Sequence, residues 1–218
     1  MNRESFKRSP FLDNRIECVS DTPIPVNLDS CLDQNNKDID KTPNKFLFHT
    51  AYCCSTLLSR ALDISNKTVV YREPVTLHQL AVIQRRKEQF SSYHINRWNQ
   101  YLGFTMQMLS KTWNKDEVSI IKATDSCNNI IFESLSRSNK STAILLYSKL
   151  EEFIASNLKS NGRRNFLKNF VIRSSRDSKH FPTLASIDPG TLNDARSAAY
   201  VWMVQMTLYS IVINHNNC

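Results

Sequence analysis

Ser55 and Thr56 are the residues of this chain whose types and position bear most directly on chemistry. They follow the apolar run Phe46-Leu47-Phe48-His49 and precede a helical pattern that begins Leu57-Leu58. Phosphate or sulfate oxygens need convergent donors. Backbone N–H groups at a strand-to-helix turn supply them, helped by side-chain hydroxyls. Ser and Thr are also good helix caps, so the pair fits both a binding turn and a plain cap. A second apolar run ends in Arg72-Glu73-Pro74. Glu73 has the chemistry of a general base for an acceptor hydroxyl, and Arg72 that of an anion contact. The competing reading is an ion pair on a turn, with Pro74 opening a helix. Lys122 ends a third run, Val118 to Ile121, where a cation could serve the turn or simply meet solvent. His49 is the one histidine of five near this region, and no Ser–His–Asp arrangement can be drawn from the others.

These residues need strands to carry them. Four short runs, Phe46–His49, Thr68–Tyr71, Val118–Ile121 and Thr142–Tyr147, are β-branched or aromatic and too short for helices. They do not alternate with polar residues, which predicts a parallel sheet buried on both faces. Helical patterns lie between them. Ser55–Ile64 shows Leu57, Leu58, Ala61 and Leu62 on one face. Val75–Lys87 ends in Arg85-Arg86-Lys87, which suits a helix C-terminus. Ser91–Trp113 places Ile95, Trp98, Leu102, Thr105 and Leu109 at helical spacing, and Asn128–Arg137 and Leu150–Ser160 follow. The expected fold is α/β: a doubly wound parallel sheet of about four to five strands flanked by helices, with a helical C-terminal third. Carboxyl ends of strands line the ligand crevice in such sheets, which places His49, Glu73 and Lys122 on its side.

Residues 1–44 read as a polar N-terminal arm broken by Pro10, Pro23, Pro25 and Pro43. A short helix is expected near Leu28–Leu32, and a loop over Asn35–Asp38. The remainder, 45–218, reads as one domain. At the far end Gly162–Lys179 is basic and Thr191–Asn214 forms one long helix. Its apolar run, Ala198–Ile213, is shorter than the ~20 residues of a membrane span, so no membrane is expected.

Composition narrows the function classes. The 218 residues carry a formal net charge of +8, suited either to an anionic partner or to a solvated basic surface. Stacking aromatics are sparse among the charges of 162–179, so no nucleic acid is expected. The three glycines, Gly103, Gly162 and Gly190, are far apart. Walker-type and dinucleotide loops are therefore absent. The six cysteines show no Cys-x-x-Cys spacing and no histidine pair has ligand spacing, so no metal is expected. The polar, charged Met1–Pro10 lacks an apolar signal region, and reduced thiols in a cytoplasmic setting are the default expectation.

The string His49-Thr50-Ala51-Tyr52-Cys53-Cys54-Ser55-Thr56-Leu57-Leu58 resembles the sulfotransferase superfamily within the P-loop nucleoside triphosphate hydrolase fold, in a divergent branch. The family's turn reads roughly Lys/Arg-Ser-Gly-Thr-Ser/Thr and then an apolar pair. The hydroxyl pair and the Leu pair match, whereas Tyr52 replaces the basic residue and Cys54 the glycine. The resemblance implies that Tyr52, Cys53, Cys54, Ser55 and Thr56 hold the 5′-phosphosulfate of phosphoadenylyl sulfate. It also implies that Ser156, with Lys149 in place of an arginine at position 148, grips the 3′-phosphate. A sulfuryl group would pass to an acceptor hydroxyl or amine without a metal. Glu73, Lys122 and His49 are then the catalytic candidates, with Lys122 replacing the cation missing from the turn. The partners implied are an anionic nucleotide and an acceptor. The alternative is a domain that keeps the fold without the chemistry and serves as a binding or scaffold module. The apolar face of Ala198–Ile213 is expected to be covered by a second copy, as a homo-oligomer, or by a segment beyond Cys218.

Overall fold

The computed structural model describes residues 3–13, 27–35 and 43–216. Four strands form where the apolar runs lie: β1 (Lys45–His49), β2 (Thr68–Arg72), β3 (Val118–Lys122) and β4 (Thr142–Leu146). The sheet is parallel, in the order β2-β3-β1-β4. In register, Arg72 lies opposite Lys122, and Lys122 opposite Leu47. β2 and β3 therefore end level with one another, while β1 runs two residues further, to His49. Ladder bonds join β1 to β4 at both ends: Thr142 N–H donates to the Asn44 carbonyl and Thr50 N–H to the Leu146 carbonyl, each at 3.0 Å.

Burial on both faces holds for β1, β2 and β3, where Phe46, Leu47, Phe48, Val69, Val70 and Ile121 are buried. It does not hold for β4. Ile144 is 48% exposed and Tyr147 lies beyond the strand, 56% exposed. β2 and β4 are both edge strands, but Val69 of β2 is buried in a cluster with Phe6 and Leu12, while β4 leaves Ile144 exposed despite its unbroken apolar pattern.

Ten α-helices are described: α1 (Arg3–Arg8), α2 (Leu28–Asn35), α3 (Ser55–Ala61), α4 (Val75–Gln84), α5 (Ser92–Leu109), α6 (Ile131–Leu135), α7 (Leu150–Leu158), α8 (Asn161–Asp177), α9 (Pro182–Ala185) and α10 (Asp194–Asn216). The apolar face expected on α3 is corrected. Leu57 is 71% exposed and Ala61 is exposed, whereas Ser55 and Ser59 are buried. Ser59 can be buried because its hydroxyl donates to the Thr56 carbonyl at 2.9 Å, one turn back. On α5 the buried residues are Trp98, Leu102, Gly103, Met106 and Leu109, with Ile95 39% exposed. The indole N–H of Trp98 donates to the Leu80 carbonyl at 2.9 Å and ties α5 to α4. The segment 128–137 is not a single helix: a 3-10 turn over Asp125–Ile130 precedes α6.

The chain divides into two compact units. The first comprises Met1–Phe48 and Thr56–Ile144, the second His49–Ser55 and Leu145–Cys218. In the first unit the arm forms a helix, α1, that the polar composition did not announce. Phe6 is 1% exposed and packs edge-on against Tyr71 and Trp113, at 5.3 and 5.0 Å between ring centroids. In the second unit α7, α8 and α10 share a core of Phe153, Leu167, Phe170, Tyr200, Val201 and Val204. Tyr200 buries its hydroxyl there because Ser178 Oγ lies 2.7 Å away. The outward side of α10 exposes Met203, Ile211 and Ile213. Among the described residues no helix is long and apolar enough to cross a membrane. Most of the loop expected over Asn35–Asp38 lies outside the described residues, as do Pro23, Pro25, Cys18 and Cys218; Asn35 itself closes α2.

Candidate functional site

The turn after β1 belongs to the second unit. Thr50, fixed by its N–H to β4, presents a carbonyl on which two side chains converge. His49 Nδ1 donates to it at 2.8 Å and the Cys53 thiol at 3.0 Å. A carbonyl only accepts, so His49 Nδ1 carries a proton. Burial opposes ionisation of the Cys53 thiol. The His49 imidazole, through a hydrogen bond and its charge, outweighs that together with the Ser55 N–H and Thr50, and the thiol is held below its ordinary range.

The turn is strained at two places. Tyr52 and Cys54 have φ of 60° and 64°, in the left-handed region that costs a non-glycine residue roughly 1–2 kcal/mol. Left-handed residues in a turn aim backbone N–H groups into a concavity of the kind that receives anions. Cys54 therefore takes a conformation that glycine adopts without strain. Ser55 is buried at the start of α3 and Thr56 is half-buried beside it.

A cation reaches this turn from α8. The Arg163 guanidinium lies over the Tyr52 ring, 4.4 Å from its centroid, and its Nη1 donates to the Ser156 carbonyl at 2.9 Å. Arg163 thus joins two segments singled out separately in the sequence, the turn and the end of α7. Sequence reasoning counted it only as one charge of a basic helix, and no local spacing links it to Tyr52. Nearby, the Ser148 carbonyl accepts from the Trp202 indole N–H at 3.0 Å, while the buried Ser148 Oγ has no hydrogen-bond partner among the described residues. Lys149 is exposed and Ser156 half-buried.

Glu73 and Lys122 lie in the first unit. Lys122, 1% exposed, donates to the Glu73 carboxylate, and its ammonium sits 5.5 Å from the Phe11 ring centroid. Glu73 has a φ of 52°, a left-handed conformation that residues before proline rarely take. Its N–H donates to the Lys122 carbonyl at 2.7 Å. Arg72 is 3% exposed and pairs with Asp63 at 3.0 Å. Its Nη2 also donates to the carbonyls of Phe6, Lys7 and Ser9 at 3.0, 2.9 and 3.0 Å. Arg72 and Lys122 thus hold the arm at the carboxyl ends of β2 and β3.

Among the described residues no group of three or more His, Cys, Asp or Glu side chains is arranged to hold a metal ion. No family model, curated protein or solved structure matches the chain.

Proposed function

We propose that the chain is a sulfotransferase-like domain that binds the phosphate groups of phosphoadenylyl sulfate, or of a related adenine nucleotide, at the turn after β1. The observation that carries the reading is Arg163, stacked on Tyr52 and hydrogen-bonded at Ser156. It supplies a cation beside a turn that has none of its own. Backbone N–H groups of the turn, with Ser55 and Thr56, would meet the 5′-phosphosulfate. α3 has only two turns, so loop donors and hydroxyls matter more here than a helix dipole. The partnerless Ser148 Oγ is a buried donor that a 3′-phosphate would satisfy, with Ser156 and exposed Lys149 close by in sequence. Transfer of the sulfuryl group to an acceptor hydroxyl or amine needs a base to take the acceptor proton.

Titration calorimetry with adenosine 3′,5′-bisphosphate tests the binding. Saturable heat that falls in Arg163→Ala and Ser55→Ala is expected. No heat at millimolar nucleotide sinks the reading.

The engagement of Glu73 and Lys122 under the arm favours a second reading, a fold kept as a scaffold without transfer chemistry. Nucleotide binding without sulfuryl transfer to any of a panel of hydroxyl and amine acceptors would select it. A second copy of the chain, seated on the outward side of α10, is proposed as its oligomeric partner; a monomer at high concentration in sedimentation would exclude that.

A further inference from the structure

The first unit holds a cavity that the reading above does not use. Its volume is about 330 Å³ and it lies between α2, the segment after α4, and α5. Phe90, Tyr93, Trp98 and Tyr101 line it, with Asp29, His94 and Arg97 as its polar members. Positions 93, 97 and 101 share one side of α5, four residues apart, beside the face that buries Trp98 and Leu102, and Phe90 lies just before the helix. Phe90 is 37% and Tyr93 67% exposed. Aromatic rings left open around a concavity are what a ligand site shows and what a plain core does not.

The charges in the wall cancel. Arg97 is paired with Asp29, and its guanidinium stands 5.7 Å from the Tyr101 centroid. An aromatic cage for a cation needs its carboxylate available, but here Arg97 engages Asp29. An anion would gain from Arg97 and lose to Asp29. A neutral ring meets neither conflict, and the ion pair offers N–H and carboxylate groups to polar atoms at its edge. The volume is about twice the ~150 Å³ that accommodates benzene in an engineered cavity, which fits two fused rings.

We infer that this cavity binds a neutral, planar, bicyclic aromatic small molecule, stacked among Phe90, Tyr93 and Tyr101 with its polar edge toward the Arg97–Asp29 pair. The site is independent of the turn after β1.

The test is titration calorimetry of the full chain at neutral pH with three naphthalene probes: 2-naphthol, naphthalene-2-sulfonate and 2-naphthyltrimethylammonium. Saturable one-to-one binding of 2-naphthol is expected, with both charged probes weaker. Tyr93→Ala and Tyr101→Ala should each weaken it by about fivefold, the loss of one ring contact. Tyr93 is the cleaner variant because its ring is mostly exposed, and circular dichroism verifies its folding. Absence of saturable 2-naphthol binding would overturn the inference, as would equal affinity in folded Tyr93→Ala. Tightest binding of the trimethylammonium probe would replace it with a cation cage. Adenosine bisphosphate binding that survives Tyr93→Ala keeps the two sites separate.

Discussion

Arg163 stacks on Tyr52, with 4.4 Å between guanidinium carbon and ring centroid, and this contact brings a cation of α8 to the turn after β1. The contact places a guanidinium beside a turn whose own residues include no Lys or Arg. It also ties the turn to Ser156 through the same guanidinium.

Arg163→Ala should therefore weaken adenosine bisphosphate about 10- to 100-fold, the range for losing a charged hydrogen bond of roughly 1.5–3 kcal/mol. Arg163→Lys should recover only part of this, because an ammonium does not stack as a guanidinium does. Calorimetry on both variants checks the order. Equal affinity for the wild-type and Ala proteins would remove Arg163 from the site.

Cys53 should alkylate faster than Cys127 with iodoacetamide near neutral pH. Burial raises the Cys127 thiol to about 12, against the depressed Cys53. The thiolate of Cys53 displaces iodide, so its rate follows ionisation, and His49→Gln should move the midpoint upward. The stability consequence has a definite sign. Because the folded value lies below the unfolded one, the contribution is complete above the ordinary thiol range and is lost as pH falls through the folded value. Mass-resolved labelling between pH 6 and 10 measures the midpoint.

Cys54→Gly should stabilise the fold by about 1 kcal/mol, since glycine accepts a φ of 64° without strain and its entropic cost offsets only part of the gain. For a chain of this size that is a rise of ~2–4 °C in Tm. Cys54→Val at the same place should lower Tm. Thermal unfolding followed by circular dichroism decides both.

Removing one member of the Glu73–Lys122 pair should be unequal in cost. Glu73→Ala strands a lysine that is 1% exposed and should cost about 3–5 kcal/mol. Lys122→Met leaves a carboxylate whose side chain is 22% exposed and should cost less. Urea denaturation gives the two values, and the opposite order would contradict the burial.

Arg72→Met should free the arm. Its guanidinium is the donor for three arm carbonyls, so trypsin should cut after Arg8 in the variant at concentrations that spare the wild type. An unchanged digestion pattern would mean that Phe6 packing alone secures α1.

The sequence by itself determined the strands and the place of the turn. Runs of four to six apolar residues are too short for helices. Small and hydroxyl residues between such a run and a helical pattern leave few backbone choices, so β1 and α3 follow from local physics, whereas the level ends of β2 and β3 are set by how those strands pair. Only the tertiary structure decided which side chains meet. Leu57 carries an apolar side chain into solvent while Ser59 is buried, because a hydroxyl satisfied inside its own helix costs little to bury. β4 leaves Ile144 in solvent although its residues match those of the buried strands. Tyr52 and Arg163 are far apart in the chain, and the same is true of Arg72 and the carbonyls of α1. Periodicity reports the face a residue occupies along its own element. The partner across from it is set by how elements pack, and that information is carried by contacts distant in sequence.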